Sequence, residues 1–199
     1  MASLMKKRFR SFLPVVVDIE TGGFDHQRHA ILEIAAVLLT FNDDQSIEPA
    51  RTIHHHVQPY EGLVMDREAL EFTGIDPYHP FRFAVSEYQA LNDIVTTINQ
   101  ALQDTNCSRA VLVGHNPTFD LNFIKAAVKR QKIKNPFHKF TTFDTATLGG
   151  VALGQTVLAK ACRKAQIEFD TSKAHSALYD AQKTAELFCY MVNHWPHPK

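Results

Sequence analysis

The chain has 199 residues, which fits one domain, because domains typically hold about 150 residues. Hydrophobic residues make up 45% of the chain, enough for a substantial core. No apolar run approaches the about 20 residues that a membrane-spanning helix needs, which excludes an integral helical membrane protein. The 21 Lys and Arg residues balance the 21 Asp and Glu residues, but the two signs are concentrated in different parts of the chain.

The amino terminus has basic residues followed by an apolar stretch, an order that signal peptides share. Pro14 interrupts the apolar stretch, Asp18 ends it, and no small-residue cleavage site follows. Cys107, Cys162 and Cys189 are far apart and odd in number, so they predict neither a disulfide framework nor a zinc site. We therefore expect a cytoplasmic protein that is not exported and has no membrane partner.

Patterns of apolar and polar residues predict nine elements along the chain. In chain order these are strands 14–21, 29–41 and 52–59, helices 67–75 and 86–103, strand 109–115, and helices 117–132, 145–166 and 174–193. Ser86 is the expected N-cap of the second helix, and Gly74 is expected to end the first. Three consecutive strands followed by alternating helices and strands predict one mixed α/β domain.

The first strand ends in two carboxylates one residue apart, in the segment VVVDIETGG of residues 15–23. Alternate residues of a strand share a face, so Asp18 and Glu20 point to the same side. Two carboxylates about 7 Å apart on a partly buried face repel each other and lose solvation, and a divalent cation relieves both penalties. The alternative is that the strand ends in solvent and both acids are hydrated.

Two later segments also place acids on predicted helices. In GHNPTFD (114–120), Asp120 falls in the first turn, where the helix N-terminus favours an acid without any further role. In AHSALYD (174–180), His175 and Asp180 would lie about 140° apart on one continuous helix. They converge only if His175 lies before the helix or in its first turn. The alternative for this pair is a hydrated surface histidine and aspartate.

In this order on an α/β chain, D-x-E-x-x-G, H-N-x-x-F-D and H-x-x-x-x-D resemble the three motifs of the DEDDh 3′–5′ exonucleases. The segments TGGF, EALEFTGIDP, NPFHKFTTFDT and LGQTVLAKAC extend the resemblance over nearly the whole chain. They indicate the branch that trims the 3′ ends of tRNA and other stable RNAs and also cuts DNA ends. The resemblance implies a ribonuclease H-like fold with a central mixed five-stranded sheet flanked by helices, a single exonuclease domain over residues 1–199, and a homodimer.

The resemblance also implies the chemistry. Asp18, Glu20, Asp120 and Asp180 would bind two Mg²⁺ ions, with Mn²⁺ as a substitute, and His175 would be the general base for the attacking water. Hard oxygen ligands suit these ions, and an imidazole pKa of about 6.5 suits a base at neutral pH. The expected product is a 5′-nucleoside monophosphate.

Aromatic residues would hold the single-stranded 3′ end by stacking on its bases, a contact with little sequence preference. The resemblance gives this role to Phe24, Phe72, Phe119 and Phe140, and places Glu68 at the edge of the terminal base. Core packing is the alternative for each Phe.

The basic residues lie mostly in the second half of the chain. Residues 11–104 hold 15 acids and four Lys or Arg, whereas residues 105–199 hold six acids and 13 Lys or Arg, and no acid occurs between 121 and 143. Solvated helix faces usually mix signs, so we interpret these residues as a basic patch that binds phosphates. Its members are Arg8, Arg10, Arg109, Lys125, Lys129, Arg130, Lys132, Lys134 and Lys139. Gln103 stands where the resemblance predicts a lysine.

Two further features of the sequence have structural interpretations. His54, His55 and His56 are consecutive on a predicted strand, so they alternate between faces and cannot all bind one ion. We interpret them as part of the strand surface. Asp144, in TTFDT, is a fifth acid near the expected site, and we interpret it as a supporting or structural residue.

Two other function classes are alternatives. A phosphatase of the haloacid dehalogenase type also ends its first strand in paired acids, but it requires a second Asp where this chain has Glu20. A nucleic-acid binding module with an inactive nuclease site is the non-enzymatic alternative, although every expected catalytic residue is present.

Overall fold

The computed structural model describes residues 2–195, which form a five-stranded sheet with helices packed on both faces. The strands are β1 (Phe12–Thr21), β2 (Ile31–Phe41), β3 (Ile47–His56), β4 (Arg109–Gly114) and β5 (Phe137–Asp144). The helices are α1 (Ala2–Arg8), α2 (Arg67–Thr73), α3 (Glu87–Thr105), α4 (Thr118–Arg130), α5 (Thr145–Leu153), α6 (Leu158–Lys164) and α7 (Ala177–His194), and a 3₁₀ turn covers Pro80–Arg82.

The strand order is β3-β2-β1-β4-β5, with β2 antiparallel to both β1 and β3 and with β1, β4 and β5 parallel. The mixed five-stranded sheet is thus confirmed. Because β2 runs against β1, the end of β1, the beginning of β2 and the end of β4 all lie at one end of the sheet. The first two sequence motifs lie at this end, because each begins where its strand finishes.

The central strands are buried on both faces. Val15, Val16 and Val17 of β1 are each at most 1% exposed, and α7 packs across β1, β2 and β3 on one face. Full burial of such side chains stabilises a fold by about 1.5–3 kcal/mol each. Within residues 2–195, no helix is long and apolar enough to cross a membrane.

Two strands differ from the sequence prediction. β3 covers 47–56 instead of 52–59, and it contains Pro49, which an edge strand tolerates because one side of its ladder is unpaired. The pattern predicted no element at β5, because its residues beyond Phe137 are exposed or only half-buried and show no regular alternation.

The helices were predicted more closely, with two errors. The expected single helix 145–166 is two helices, because Gly154 adopts a left-handed conformation (φ 67°) and ends α5. Gly74 ends α2 in the same way, and the Ser86 side chain caps α3 by accepting a hydrogen bond from the Gln89 N–H, as predicted. The short helix α1 was not predicted.

Candidate active site

The two acids of the first motif lie on the central strand β1, at the end of the sheet where β1 and β4 finish. Asp18 pairs with Ala35 and Glu20 pairs with Glu33 across the β1–β2 ladder, whose register shifts directly after Glu20. Val17 and Ile19 point to the opposite face and are buried. The alternation that was expected from the sequence therefore places both carboxylates on one face, where neither is fully exposed.

Asp120 reaches the same place from the neighbouring strand. It lies in the first turn of α4 and is only 5% exposed. The turn from β4 into α4 is tight: a Cβ on Gly114 would lie 3.1 Å from Pro117 Cβ and 3.4 Å from the Val17 carbonyl oxygen. The chain at Gly114 thus packs closely against β1, which brings Asp120 towards Asp18.

The third motif contributes from α7 and from the residue that precedes it. His175 lies before the helix, one of the two positions that the spacing allowed, and its backbone N–H donates to Asp180 Oδ2 at 2.9 Å. Ligand atoms of Glu20, His175 and Asp180 all lie within 4.8 Å of one another. Asp180 Oδ1 is buried and has no hydrogen-bond partner within the described residues.

The electrostatics of this cluster are unfavourable for four ionised acids. Burial and the charges of Asp120, Asp180 and Glu20 hold the pKa of Asp18 well above its usual range. Burial, with the neighbouring carboxylates, raises the pKa of Glu20 to about 8, and burial raises the pKa of Asp120 to about 7. Burial also raises the pKa of Asp180. Repulsion among buried carboxylates and an unsatisfied buried oxygen fit a site for divalent cations, whose preferred ligands are such oxygens.

Comparison with known proteins identifies the family. A family model described as an exonuclease (RNase_T) matches residues 15–188. Ribonuclease T of Vibrio parahaemolyticus is 57% identical over 98% of this chain and 92% of its own length. The chain belongs to the ribonuclease T family of exonucleases. Ribonuclease T of Buchnera aphidicola is 52% identical over 96% of this chain and 88% of its own length.

Solved structures share the fold of this ribonuclease T family member. The nuclease domain of 3′hExo, a DEDDh family member, has a TM-score of 0.68 at 18% identity, covering 90% of each chain. Exonuclease I of E. coli in complex with a dT13 oligonucleotide has a TM-score of 0.68 at 16% identity, covering 89% of this chain and 40% of that one. The ribonuclease H-like fold that was expected from the motifs is therefore confirmed.

Membership of the ribonuclease T family makes the protein a 3′–5′ exoribonuclease and confirms the family resemblance of the three motifs. It decides against the phosphatase alternative, and it implies divalent metal ions at the site. The roles of the individual residues stay predictions.

The aromatic residues predicted to stack on bases divide into two groups. Phe24, Phe72 and Phe140 are 86%, 66% and 76% exposed, so core packing does not explain them. Phe119 is half-buried, packs against the core, and has its ring centroid 6.2 Å from that of Phe24. The Phe72 ring lies 4.4 Å from the His175 ring, which places α2 directly beside the site. Glu68 is an exposed residue in the first turn of α2.

Several residues of the basic patch lie at the opposite end of the sheet, where β1 and β4 begin. Arg109 begins β4 and pairs with Phe12 at the beginning of β1. Asp18 is six residues further along β1, about 20 Å away at ~3.3 Å per residue. Lys134 and Gln103 line one surface cavity of about 400 Å³ together with Arg109. The structure therefore separates this part of the patch from the carboxylates of its own chain.

Most of the remaining patch residues lie at the same end of the sheet or at the far end of α4, whereas Lys125 lies in the middle of α4, five residues after Asp120. Arg130 does not belong to the patch, because its guanidinium is paired with Glu87. Arg8 and Arg10 flank the turn before β1, and Lys132 follows α4, whose first turn holds Asp120. From Asp120 to the end of α4 at Arg130, ten residues of helix correspond to about 15 Å.

Asp144 has the supporting role that was expected. Its Oδ1 accepts hydrogen bonds from the N–H groups of Asn116 and Ala146, each at 3.0 Å, and its Oδ2 accepts one from the Thr147 hydroxyl. It thus caps α5 and holds Asn116, whose φ is 65°, in the turn that leads to Asp120.

The three consecutive histidines alternate between faces as expected, but they are half-buried instead of surface residues. His55 contacts Asp93 of α3 at 3.4 Å on one face. On the other face, His54 and His56 lie beside Glu33. Glu33 could not be predicted as a neighbour of the site, because its segment HAILEIAAVLLTF has the pattern of a buried strand.

Proposed function

We propose that Asp18, Glu20, Asp120 and Asp180 bind two Mg²⁺ ions, for which Mn²⁺ substitutes, and that His175 is the general base. The observation that supports this most directly is the convergence of four acids, from one strand and two helices, whose pKa values are all raised. Two bound cations would activate a water molecule and stabilise charge on the leaving oxygen.

The protein groups act around that centre. The carboxylates would hold the two ions beside the scissile phosphate, and the His175 imidazole takes a proton from the attacking water. Cleavage of the terminal P–O3′ bond then releases a 5′-nucleoside monophosphate and leaves a new 3′-hydroxyl. The exposed rings of Phe24, Phe72 and Phe140 support stacking on the last bases of the strand.

We propose tRNA and other stable RNAs as substrates, with DNA 3′ ends as additional ones. The high identity to proteins named ribonuclease T supports RNA. Stacking on aromatic side chains supports both polymers, because the faces of the bases are common to RNA and DNA. We also propose that the chain is a single exonuclease domain, that it forms a homodimer, and that it works in the cytoplasm, where its three free cysteines would stay reduced.

A duplex with a single-stranded 3′ overhang tests this function, in RNA and DNA versions of one sequence. With Mg²⁺ we expect stepwise shortening from the 3′ end and 5′-nucleoside monophosphates identified by mass spectrometry. EDTA should stop the reaction, and Mg²⁺ or Mn²⁺ should restore it. Release of inorganic phosphate alone, or binding without shortening, would contradict the proposal.

The role of His175 has its own test. His175→Ala should lower kcat by about 10²–10⁴-fold, the usual contribution of a general base. Binding of Mn²⁺, followed by calorimetry, should be largely retained, because the imidazole is assigned as a base and not as a ligand. His194→Ala, which removes an exposed histidine at the far end of α7, is the matched control and should keep full activity. Loss of Mn²⁺ binding in the His175 variant would show that the residue is a ligand.

A further inference from the structure

Glu33 is a buried carboxylate that lies beside the site without belonging to any of its three motifs. It is 4% exposed and stands opposite Glu20 in the β1–β2 ladder. Its Oε1 accepts hydrogen bonds from His54 Nε2 at 2.7 Å, Ser176 Oγ at 3.2 Å and the Leu178 N–H at 3.4 Å. Burial alone would raise the pKa of Glu33, but the hydrogen bond and charge of His54 offset it, so this pKa lies below its usual value.

The beginning of α7 depends on this carboxylate. Ser176 is the N-cap residue, and an N-cap serine usually accepts a hydrogen bond from a backbone N–H of the first turn. Here its side chain makes no such bond and instead donates to Glu33. Glu33 accepts from the Leu178 N–H in its place and brings a negative charge to the helix N-terminus, where it is favourable. A residue of β2 therefore caps α7.

His175 is the residue that directly precedes this anchored segment. Its φ of 66° lies in the left-handed region, which residues with a side chain rarely adopt and which the surroundings must stabilise. Directly after His175 in the chain, Ser176 and Leu178 are held by their hydrogen bonds to Glu33. The backbone N–H of His175 itself donates to Asp180.

We propose that Glu33 is a positioning residue, which holds the His175 imidazole against the carboxylates by anchoring Ser176 and Leu178. This inference rests on the proposed function of His175. It predicts that Glu33 affects the chemical step and not substrate binding, because Glu33 itself is buried behind the site.

A metal ion is the rival use of the same group. Ligand atoms of Glu33, His54 and His56 lie within 4.8 Å of one another. However, the guanidinium of Arg82 interacts electrostatically with both Glu33 and His56, and the positive end of α7 also points at the carboxylate. These positive charges disfavour a further cation and favour an anion that is satisfied by protein donors.

Two substitutions at Glu33 separate the effect of the hydrogen bonds from that of volume. Glu33→Leu removes every acceptor and should lower kcat on the 3′-overhang substrate by about 10²-fold, the cost of a misplacement of about 1 Å, with KM unchanged. Glu33→Gln keeps a carbonyl oxygen for Ser176 and Leu178 and should recover at least about tenfold of that loss.

The position of His175 is measured independently by NMR. The imidazole proton resonances of His175 should be shifted by the ring current of Phe72, whose ring is 4.4 Å away. Glu33→Leu should move these resonances towards random-coil values, and Glu33→Gln should keep them. If Glu33→Leu does not fold, Ser176→Ala removes one of the two anchors while the carboxylate stays, and it should move the resonances in the same direction.

The matched control is Glu87→Leu, because Glu87 is an equally buried acid, 3% exposed, whose partners Arg130 and Gln131 lie away from the site. It should lower stability but change neither kcat nor the His175 resonances. Unchanged kcat and resonances in Glu33→Leu would overturn the proposal. So would stoichiometric Zn²⁺ binding to an Asp18→Asn protein that is lost on His56→Ala. Shifted resonances with unchanged kcat would support the positioning of His175 and refute its role as base.

Discussion

Asp120→Asn should abolish most of the exonuclease activity while the protein stays folded. Asn keeps the size of Asp and its ability to accept hydrogen bonds at the beginning of α4, but it is a much weaker ligand for Mg²⁺. Metal ions contribute several kcal/mol to transition-state stabilisation, so the loss of one ligand should lower kcat by about 10³-fold or more. The measurement is single-turnover shortening of a 3′-overhang RNA at saturating Mg²⁺.

The same substitution should stabilise the metal-free protein at neutral pH. Burial raises the pKa of Asp120 to about 7, whereas an unfolded chain has an Asp pKa of about 4. Between these values the folded state binds more protons than the unfolded state, so stability falls as pH rises from about 4 to about 7. Asn has no such charge and removes this loss. Each 1 kcal/mol gained raises the Tm by about 2–4 °C in a chain of this size.

Thermal melts in EDTA at pH 5 and pH 8 provide the test. The wild-type protein should melt lower at pH 8, and Mn²⁺ should restore its Tm more strongly at pH 8 than at pH 5. Asp120→Asn should reduce both differences, and the raised pKa values of the other three acids should keep part of each. Glu87→Gln, a buried first-turn acid on α3, is the control and should keep the wild-type pH dependence and activity. Near wild-type activity of a folded Asp120→Asn protein would refute the metal assignment.

The three motifs could be predicted because each is local and each obeys a simple period. The two-residue repeat of a strand places Asp18 with Glu20. The 3.6-residue repeat of a helix requires that His175 lie before α7 or in its first turn, and it lies before α7. The meeting of these motifs was not deducible from spacing and came from the family resemblance.

Glu33 shows why the remainder could not be predicted. Its bond to Ser176 spans 143 residues of sequence, and nothing in an apolar strand marks one acid as the cap of a distant helix. β5 was missed for a related reason, since its pairing with β4 is set by tertiary contacts while its own residues are largely polar.

The separation of the basic patch from the carboxylates of the same chain leads to a second prediction with a large expected effect on activity. About 20 Å separate Arg109 from Asp18 along the sheet, too far for one phosphate to contact both. In the proposed homodimer, the patch of one chain can lie opposite the carboxylates of its partner. A tRNA-sized substrate would then contact both chains, with the phosphates supplying most of its salt-dependent affinity.

Mixed dimers test this arrangement. One parent carries Asp18→Asn, which inactivates the site, and the other carries Arg10→Ala, Lys132→Ala and Lys134→Ala, which weaken the patch. Each homodimer should be nearly inactive on a tRNA-sized substrate at physiological salt. After unfolding, co-refolding and purification through two different tags, the heterodimer should recover activity, because the intact site of one chain faces the intact patch of the other.

The expected recovery is about half of the wild-type rate per dimer, since one of two composite sites is complete. The salt dependence of binding gives a second measure: each lost phosphate contact should lower the slope of log Kd against log salt by about 1 in the patch homodimer, and the heterodimer should regain the wild-type slope at its restored site. A heterodimer as inactive as its parents would mean that the patch serves its own chain. A monomer in sedimentation analysis would refute the dimer itself, because no partner would then face the carboxylates.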